Sequence, residues 1–570
     1  MKWVHRKPKF KYTESDSPID KISKIRGITD IDTFLSPNKE SLHNPRLMKN
    51  IDKAGGRIVE AIKNNEKVAV SYDSDVDGIT SGTIMVRYLS NYLTNEDSVR
   101  IIYGQRGWGT GIEVQLTKSN DEDRNEIVEK NIEILKDIDL LIIVDSSSND
   151  YEMCKKIKES LGVDIIILDH HIVERNYKDN PAILVNPQQT GCEYPNKHLS
   201  GAGVVFKTIQ VVEELLGADG IVDVWQYIDL VAVGLYADVM RVDVLENRYL
   251  ILNGLRNVKN TGLVRILKGG KADFYRLNSD DIGFIIAPII NGVTRLNEIE
   301  LAIQILLEDD DDVCKKLRLK MHKLNEKRKD VQSKLAKEYS KFIDKEQKVL
   351  FIADEMSSKG FNGLVAQQLA TEYNRPAIVG RLHNGVFSGS FRSYGGFKLK
   401  SFLNDFDGEL QALGHEGAGG IIIDEEYIAN LMQYIDVFLP ELDEIEPVIT
   451  YDLEIDVDNI HEYIEPIEKY NTLTGNGFPK IVVKVNNIMI EDRQVIGKNL
   501  NTVKFKTTEK LELIKFRVDS EYADDVMIFD EINAVGVLVN NVWFNFKERK
   551  QIITPQIILD DYKKNGWQTQ

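Results

Sequence analysis

The stretch Val68-Ala-Val-Ser-Tyr-Asp73-Ser-Asp75-Val-Asp77-Gly78 runs from an apolar segment straight into three carboxylates at alternate positions. VAVSYDSD (Val68 to Asp75) reads as a buried strand, and Ile79 to Leu93 as the helix after it. Three similar runs follow: LLIIVDSSS (Leu140 to Ser148), DIIILDHH (Asp164 to His171) and AILVNP (Ala182 to Pro187). Short continuous apolar runs separated by helical patterns predict a parallel sheet covered on both faces. In open α/β sheets ligands bind at the carboxyl ends of the strands. The polar residues that end the first three runs are therefore expected in one crevice.

Each of those polar clusters has an ordinary reading. A lone DxD most often makes a turn or a helix cap, and the same holds for Asp145 and for Asp238 in VAVGLYADVM. An HH pair such as His170-His171 is most often structural or exposed. Together they point elsewhere. Three carboxylates crowded at a strand end repel one another unless cations or hydrogen bonds compensate. Oxygen ligands mixed with imidazole suit Mn²⁺ or Mg²⁺ rather than a thiolate-preferring metal. A carboxylate bridging two ions would hold the attacking and leaving oxygens of a displacement at phosphorus. No GxxxxGK[ST] or HExxH occurs, and the glycine-rich stretches lack the context of a dinucleotide fold.

Outside this region the chain falls into further units. The first 60 residues are polar and turn-rich, and 205–345 is mostly helical. Val313 to Leu350 reads as a charged helix with 13 basic and 5 acidic residues. A second α/β unit begins at Lys348 to Glu355, continues through a helix (Gly363 to Tyr373) and the strand PAIVG, and ends in GHEGAGG (Gly414 to Gly420). From about 480 five short strand-like segments predict a small barrel: KIVVKVNNIMI, TVKFKT, LELIKFRV, INAVGVLVNN and VWFNF. Lys504, Phe505 and Lys506, with Trp543, Phe544, Phe546, Lys547, Arg549 and Lys550, form basic and aromatic clusters of the kind that bind single strands, although individual aromatics there can equally be core.

With 570 residues, 42% of them hydrophobic, the chain can bury several cores. Taken alone, its net charge of −18 speaks against a generic polyanion binder, whose footprint is usually basic. The basic residues are segregated, however, onto the helix, the phosphate-pocket loop and the barrel hairpin, which is compatible with a narrow, locally basic path for one strand. Three scattered cysteines (Cys154, Cys192, Cys314) form neither a disulfide framework nor a zinc-ligand spacing. The start carries no secretory signal, and no run of about 18 apolar residues occurs. These features predict a soluble cytoplasmic protein with no membrane partner.

The ordered motifs Asp73-Ser-Asp75-Val-Asp77-Gly78, Asp145, Asp169-His170-His171, Ser200-Gly-Ala-Gly203 and Gly234-Leu-Tyr-Ala-Asp238 resemble those of the DHH phosphoesterases. Leu413-Gly414-His415-Glu-Gly-Ala-Gly-Gly420 resembles the GGHxxAAG signature of the DHH-associated domain, with Leu413 and Gly419 as departures. Asn291-Gly-Val-Thr-Arg295-Leu296, Ser390-Phe-Arg392-Ser393 and Leu473-Thr-Gly-Asn-Gly-Phe-Pro479 narrow the resemblance to the RecJ family of single-stranded-DNA-specific exonucleases. It covers roughly residues 60 to 562. Two further departures are Ile289, where that family carries an arginine, and Phe361-Asn362-Gly363 in place of H-x-G.

The resemblance implies a multidomain α/β protein. Its expected units are an N-terminal extension (1–60), a DHH catalytic domain with a parallel sheet (61–260), a helical connector (261–347), a DHH-associated domain (348–440), a linker (441–479) and an OB-fold barrel (480–570). The extra C-terminal domain of some relatives is expected to be missing. The implied activity is 5′→3′ hydrolysis of single-stranded DNA to 5′-mononucleotides with two ions, Mn²⁺ or Mg²⁺, in recombination and repair. Asp75 and Asp145 would hold one ion, and Asp77, Asp145, His170 and Asp238 the other. His171 would touch the scissile phosphate, with Asp73 supporting. Ser390, Arg392 and Arg295 would bind the 5′-phosphorylated end; Arg106, Gly414 and His415 would also contact the strand. A helicase or single-strand-binding protein is the implied partner.

Two other readings remain open at this stage. One is a DHH phosphodiesterase for short oligonucleotides or cyclic dinucleotides, against which the barrel and long helix argue. The other is a non-catalytic scaffold, which would be expected to have lost some of the metal ligands.

Overall fold

The computed structural model describes residues 1–175, 177, 179–344, 346–355, 357, 359–441, 445, 447–545 and 549–565. The apolar runs form the expected parallel sheet of five strands, in the order Val99–Tyr103, Val68–Tyr72, Leu140–Val144, Asp164–Leu168, Ile183–Val185. Val68–Tyr72 and Leu140–Val144 are buried at every position, which explains their uninterrupted apolar character. Val99–Tyr103 was not among the predicted strands. As an edge strand it is only half-buried and tolerates Arg100, so it carries a weaker signal.

Helix Val76–Leu89 follows the first strand and is capped by Asp75, whose carboxylate accepts from the Gly78 N–H at 3.1 Å. It packs between helices Gly201–Leu216 and Ile228–Ala237. The second α/β unit has a mixed five-stranded sheet, in the order Leu410–His415, Ala418–Asp424, Val386–Arg392, Ala377–His383, Leu350–Ala353. Helix Lys359–Tyr373 covers it, and the basic helix Asp311–Tyr339 connects the two units.

The last unit is a six-stranded barrel closed by pairing of Val483–Ile496 with Glu531–Asn545. It differs from the expectation in three ways. INAVGVLVNN and VWFNF are one strand, Glu531–Asn545. That strand pairs along its length with Lys550–Lys564, which sequence reading missed. The sheet also takes its first strand from Leu453–Asp456, upstream of residue 480. No helix among the described residues is long and apolar enough to cross a membrane.

The barrel does not hang from the parallel-sheet unit by a loose tether. A single continuous hydrophobic cluster runs from Ile22 through Val70, Val204, Ile290 and Met321 to Ile455, Val485 and Leu559. At its centre Arg248 is fully buried, donates to the carbonyls of Phe34 (2.5 Å), Leu473 (3.1 Å) and Val242 (3.3 Å), and stacks on Phe34. The Leu473–Pro479 stretch, expected as a linker, is thus clamped onto the parallel-sheet unit. The second α/β unit keeps a core of its own around Ile378, Phe387, Phe391 and Ile421.

Candidate metal centre and phosphate pocket

The carboxyl ends of the first three central strands meet as expected. Asp73, Asp77, Asp145, Asp169 and His170 are buried there. Three overlapping groups have donor atoms within 4.8 Å of one another: Asp73, Asp75 and Asp145; Asp77, His170 and Asp238; and Asp145, Asp169, His170 and His171. The His170 Nε2 lies 3.1 Å from Asp145 Oδ1, 3.3 Å from Asp238 Oδ2 and 3.9 Å from Asp77 Oδ2.

Three glycines make this crowding possible. A Cβ on Gly201 would lie 2.5 Å from Asp145 Oδ1, and one on Gly78 would lie 2.6 Å from Asp73 Cβ. A Cβ on Gly234 would collide with Asp77 Oδ1. The Ser-Gly-Ala-Gly stretch also opens helix Gly201–Leu216, and its first N–H groups hold Asp77: Gly201 N donates to Oδ2 at 2.6 Å and Ala202 N to Oδ1 at 3.1 Å. Asp145 has a φ of +57°, a left-handed conformation unusual for a non-glycine residue.

The electrostatics fit cation binding. Burial, then the charge on Asp77, Asp75 and Asp238, pushes the Asp145 carboxyl well above its ordinary range. Burial and Asp75 push Asp73 to about 7, and burial and Asp77 push Asp238 to about 8. Burial pushes the His170 imidazole down, which keeps it a neutral ligand. Asp145 Oδ1 and His170 Nε2 are both sealed from solvent without a hydrogen-bond partner. Native structures rarely leave such atoms unpaired. The donor set fits divalent ions that prefer oxygen and imidazole.

His171 is arranged differently. Its Nδ1 is 2.7 Å from Asp169 Oδ1 and its side chain is half exposed, so Nε2 is free to face a ligand. That hydrogen bond raises the imidazole to about 9. Burial alone would raise the Asp169 carboxyl, but His171 beside it holds it far below the usual range. Asp169 also accepts from the N–H groups of His170 and Ser148. The reading of the motif gave Asp169 no role; its place just before two histidines was the available signal.

Arginines gather beside the carboxylates. Arg106 donates to Ser74 O (3.3 Å) and Asn291 Oδ1 (3.0 Å). Arg295 donates to Gly360 O at 2.5 Å and so reaches the second α/β unit. Arg392 donates to Phe391 O, and Ser390 sits two residues earlier on the same strand, paired with Val379 and Gly420. Ile289 is buried in the hydrophobic core.

Other expectations fare less uniformly. Gly414 has a φ of +110°, and His415 is exposed at the end of its hairpin strand. His415 makes no hydrogen bond or ion pair to the carboxylate cluster among the described residues. In the barrel Phe505 is fully buried core, Lys504 pairs with Glu512, and Lys506 is exposed. Phe546 and Lys547 lie outside the described residues. A surface cavity of about 370 Å³ lined by Tyr103, Glu300 and Ile303 shares no residue with the carboxylate site.

Comparison with known proteins agrees with this arrangement. The chain matches the DHH family N-terminal domain over residues 67–235 and the RecJ OB domain over residues 451–554. It is 30% identical over 553 residues to the single-stranded-DNA-specific exonuclease RecJ of Bacillus subtilis, covering 94% of this chain and 66% of that protein. It is 29% identical to the SPbeta prophage protein YorK, with 95% of both chains covered. The crystal structure of Thermus thermophilus RecJ with Mn²⁺ superposes with a TM-score of 0.73 at 22% identity, over 96% of this chain and 76% of that one.

Proposed function

Because the chain belongs to the RecJ branch of the DHH family, we propose that it is an exonuclease that hydrolyses single-stranded DNA from its 5′ end and releases 5′-mononucleotides. The observation that carries this reading is the sealed pair Asp145 Oδ1 and His170 Nε2, flanked by an arginine cluster. Asp75 and Asp145 would hold one divalent ion, with Asp73 supporting, and Asp77, Asp145, His170 and Asp238 the other. Bound Mn²⁺ or Mg²⁺ supplies a nucleophilic water near neutral pH and neutralises charge at phosphorus.

The chain's own residues do the rest. His171, protonated beside Asp169, donates from Nε2 to a non-bridging oxygen of the scissile phosphate. Arg295, Arg392 and Ser390 hold the terminal 5′-phosphate, which places the next phosphodiester over the carboxylates. Arg106 steadies the backbone between them. Gly414 and His415 line the strand from the second α/β unit. The barrel takes the 3′ continuation, where basic and aromatic side chains bind a strand without reading its sequence.

The reading extends to a cytoplasmic setting in recombination or repair, beside a helicase or single-strand-binding protein. The three cysteines, all unpaired, are consistent with a reducing compartment. The decisive experiment digests 5′-labelled and 3′-labelled single strands side by side with Mn²⁺. The 5′ label is expected to appear first as mononucleotide. Early release from the 3′ end would overturn the assignment.

A further inference from the structure

Four arginines from four separate elements lie close enough for three of them to act electrostatically on the fourth, Arg295. They are Arg106 from the short turn Arg106–Trp108, Arg295 at the end of helix Ala287–Thr294, Arg328 from the connector helix Asp311–Tyr339, and Arg392 from strand Val386–Arg392. Burial, and then Arg106, Arg328 and Arg392 in that order, push the Arg295 guanidinium down to about 9; Asp75 opposes them. The hydrogen bonds of all four among the described residues go to neutral oxygens. Partly buried like charges are costly unless an anion joins them.

Arg328 stands out because the fold holds it in place. Its Nε and Nη2 donate to Asn325 Oδ1 at 3.2 and 3.0 Å, and its Nη1 donates to Gln332 Oε1 at 3.2 Å. Asn325 is itself admitted by Gly292, where a Cβ would lie 2.6 Å from the amide oxygen. Gln332 in turn donates to Gln368 Oε1 at 3.2 Å and to Leu364 O at 3.5 Å.

The start of helix Lys359–Tyr373 receives Arg295 and Arg392. Arg295 donates to Gly360 O, and a Cβ on Gly363 would lie 2.6 Å from Arg392 Nη2. Two guanidinium groups, Arg295 and Arg392, therefore meet the start of helix Lys359–Tyr373, and Arg328 is tied to the next turn of that helix through Gln332. The N–H groups of a first helical turn favour an anion as well.

We propose that Arg328 is a specificity-determining contact for the terminal 5′-phosphate, added to Arg295 and Arg392 from the connector helix. The chemistry selects a monoester. A terminal phosphate carries up to two charges near neutral pH, whereas an internal diester carries one, and a guanidinium has five N–H donors to share. This inference rests on the 5′-end reading above and assigns the connector helix a part in it.

The test compares kcat/KM of the full chain with Mn²⁺ on two oligodeoxythymidylates of equal length, one 5′-phosphorylated and one 5′-hydroxyl. For Arg328→Ala, kcat/KM should fall about ten times further on the phosphorylated strand, the loss of one charge-assisted contact. Arg328→Lys should recover part of that selectivity, because it keeps the charge and loses the fork. Asn325→Ala should shift the ratio in the same direction with Arg328 still present. An equal loss on both strands, or an unchanged ratio in both Arg328 variants, would overturn the proposal. A parent chain that digests from the 3′ end would instead overturn the 5′-end reading itself.

Discussion

His170 Nε2 and Asp145 Oδ1 stand 3.1 Å apart, sealed from solvent, and form no hydrogen bond. The two atoms come from the ends of adjacent strands, Asp164–Leu168 and Leu140–Val144, so the sheet register itself sets their separation. Burying two such atoms without a partner is costly, and a cation shared between them would offset that cost.

Metal binding should therefore be visible without any turnover. Mn²⁺ at about one hundred times its Kd should stabilise the parent chain by about 2.7 kcal/mol, read as a rise in melting temperature. Asp145→Asn should melt higher than the parent without metal, because it relieves the repulsion among Asp145, Asp77 and Asp75, and should lose most of the Mn²⁺ shift. A full shift in that variant would rule out Asp145 as a shared ligand.

Gly201→Ala should separate folding from metal binding. The new methyl would meet Asp145 Oδ1 at 2.5 Å and push the carboxylate off its position. Far-ultraviolet circular dichroism should stay native, while Mn²⁺ affinity by calorimetry should fall roughly ten- to a hundredfold, as when other supporting residues of a metal site are lost. Parent-like affinity would show that the glycine is not needed there.

A buried pair elsewhere predicts an acid limb. Lys207 and Glu246 are 2.8 Å apart with side chains almost wholly buried. Burial raises the Glu246 carboxyl, but Lys207, the His43 N–H and Asn196 outweigh it and hold it below the ordinary carboxylate range. A lowered carboxyl contributes stability above its unfolded value and loses it as pH falls through the folded one. Glu246→Gln should cost about 3–5 kcal/mol at pH 7, leaving Lys207 uncompensated, and the gap to the parent should narrow below about pH 4.5. Denaturant unfolding at several pH values measures it; a pH-independent gap would contradict this account.

Arg248→Leu should loosen three parts of the chain at once. It would leave the carbonyls of Phe34, Val242 and Leu473 unpaired in the core, at about 1–3 kcal/mol each. Urea unfolding should show a loss of several kcal/mol. Hydrogen exchange should rise together in 30–36, 240–246 and 472–479. A rise confined to one of these segments would argue against a shared clamp.

The catalytic sheet was legible because strands buried on both faces leave no polar gaps, as in Leu140–Val144. The carboxylates were legible because each ends such a run. Lys550–Lys564 was hidden by Pro555 and by the polar residues of its exposed face. Pro555 is tolerated because it lies just before Gln556–Ile558, where that strand pairs with Glu512–Ile514. Arg328 was hidden for the opposite reason: it sits among many lysines of one helix, and only the spacing to Asn325 and Gln332 marks it. Gly201 and Gly234 were read as parts of motifs, while their steric duty toward Asp145 and Asp77 needed coordinates.

The core shared by the catalytic sheet and the barrel makes a ruler of the molecule. The distance from Asp145 to the barrel is set by packed side chains rather than by a spring, so a strand either spans it or does not. Affinity plotted against strand length should climb in a step, and a nearly finished substrate should leave as a leftover of defined size.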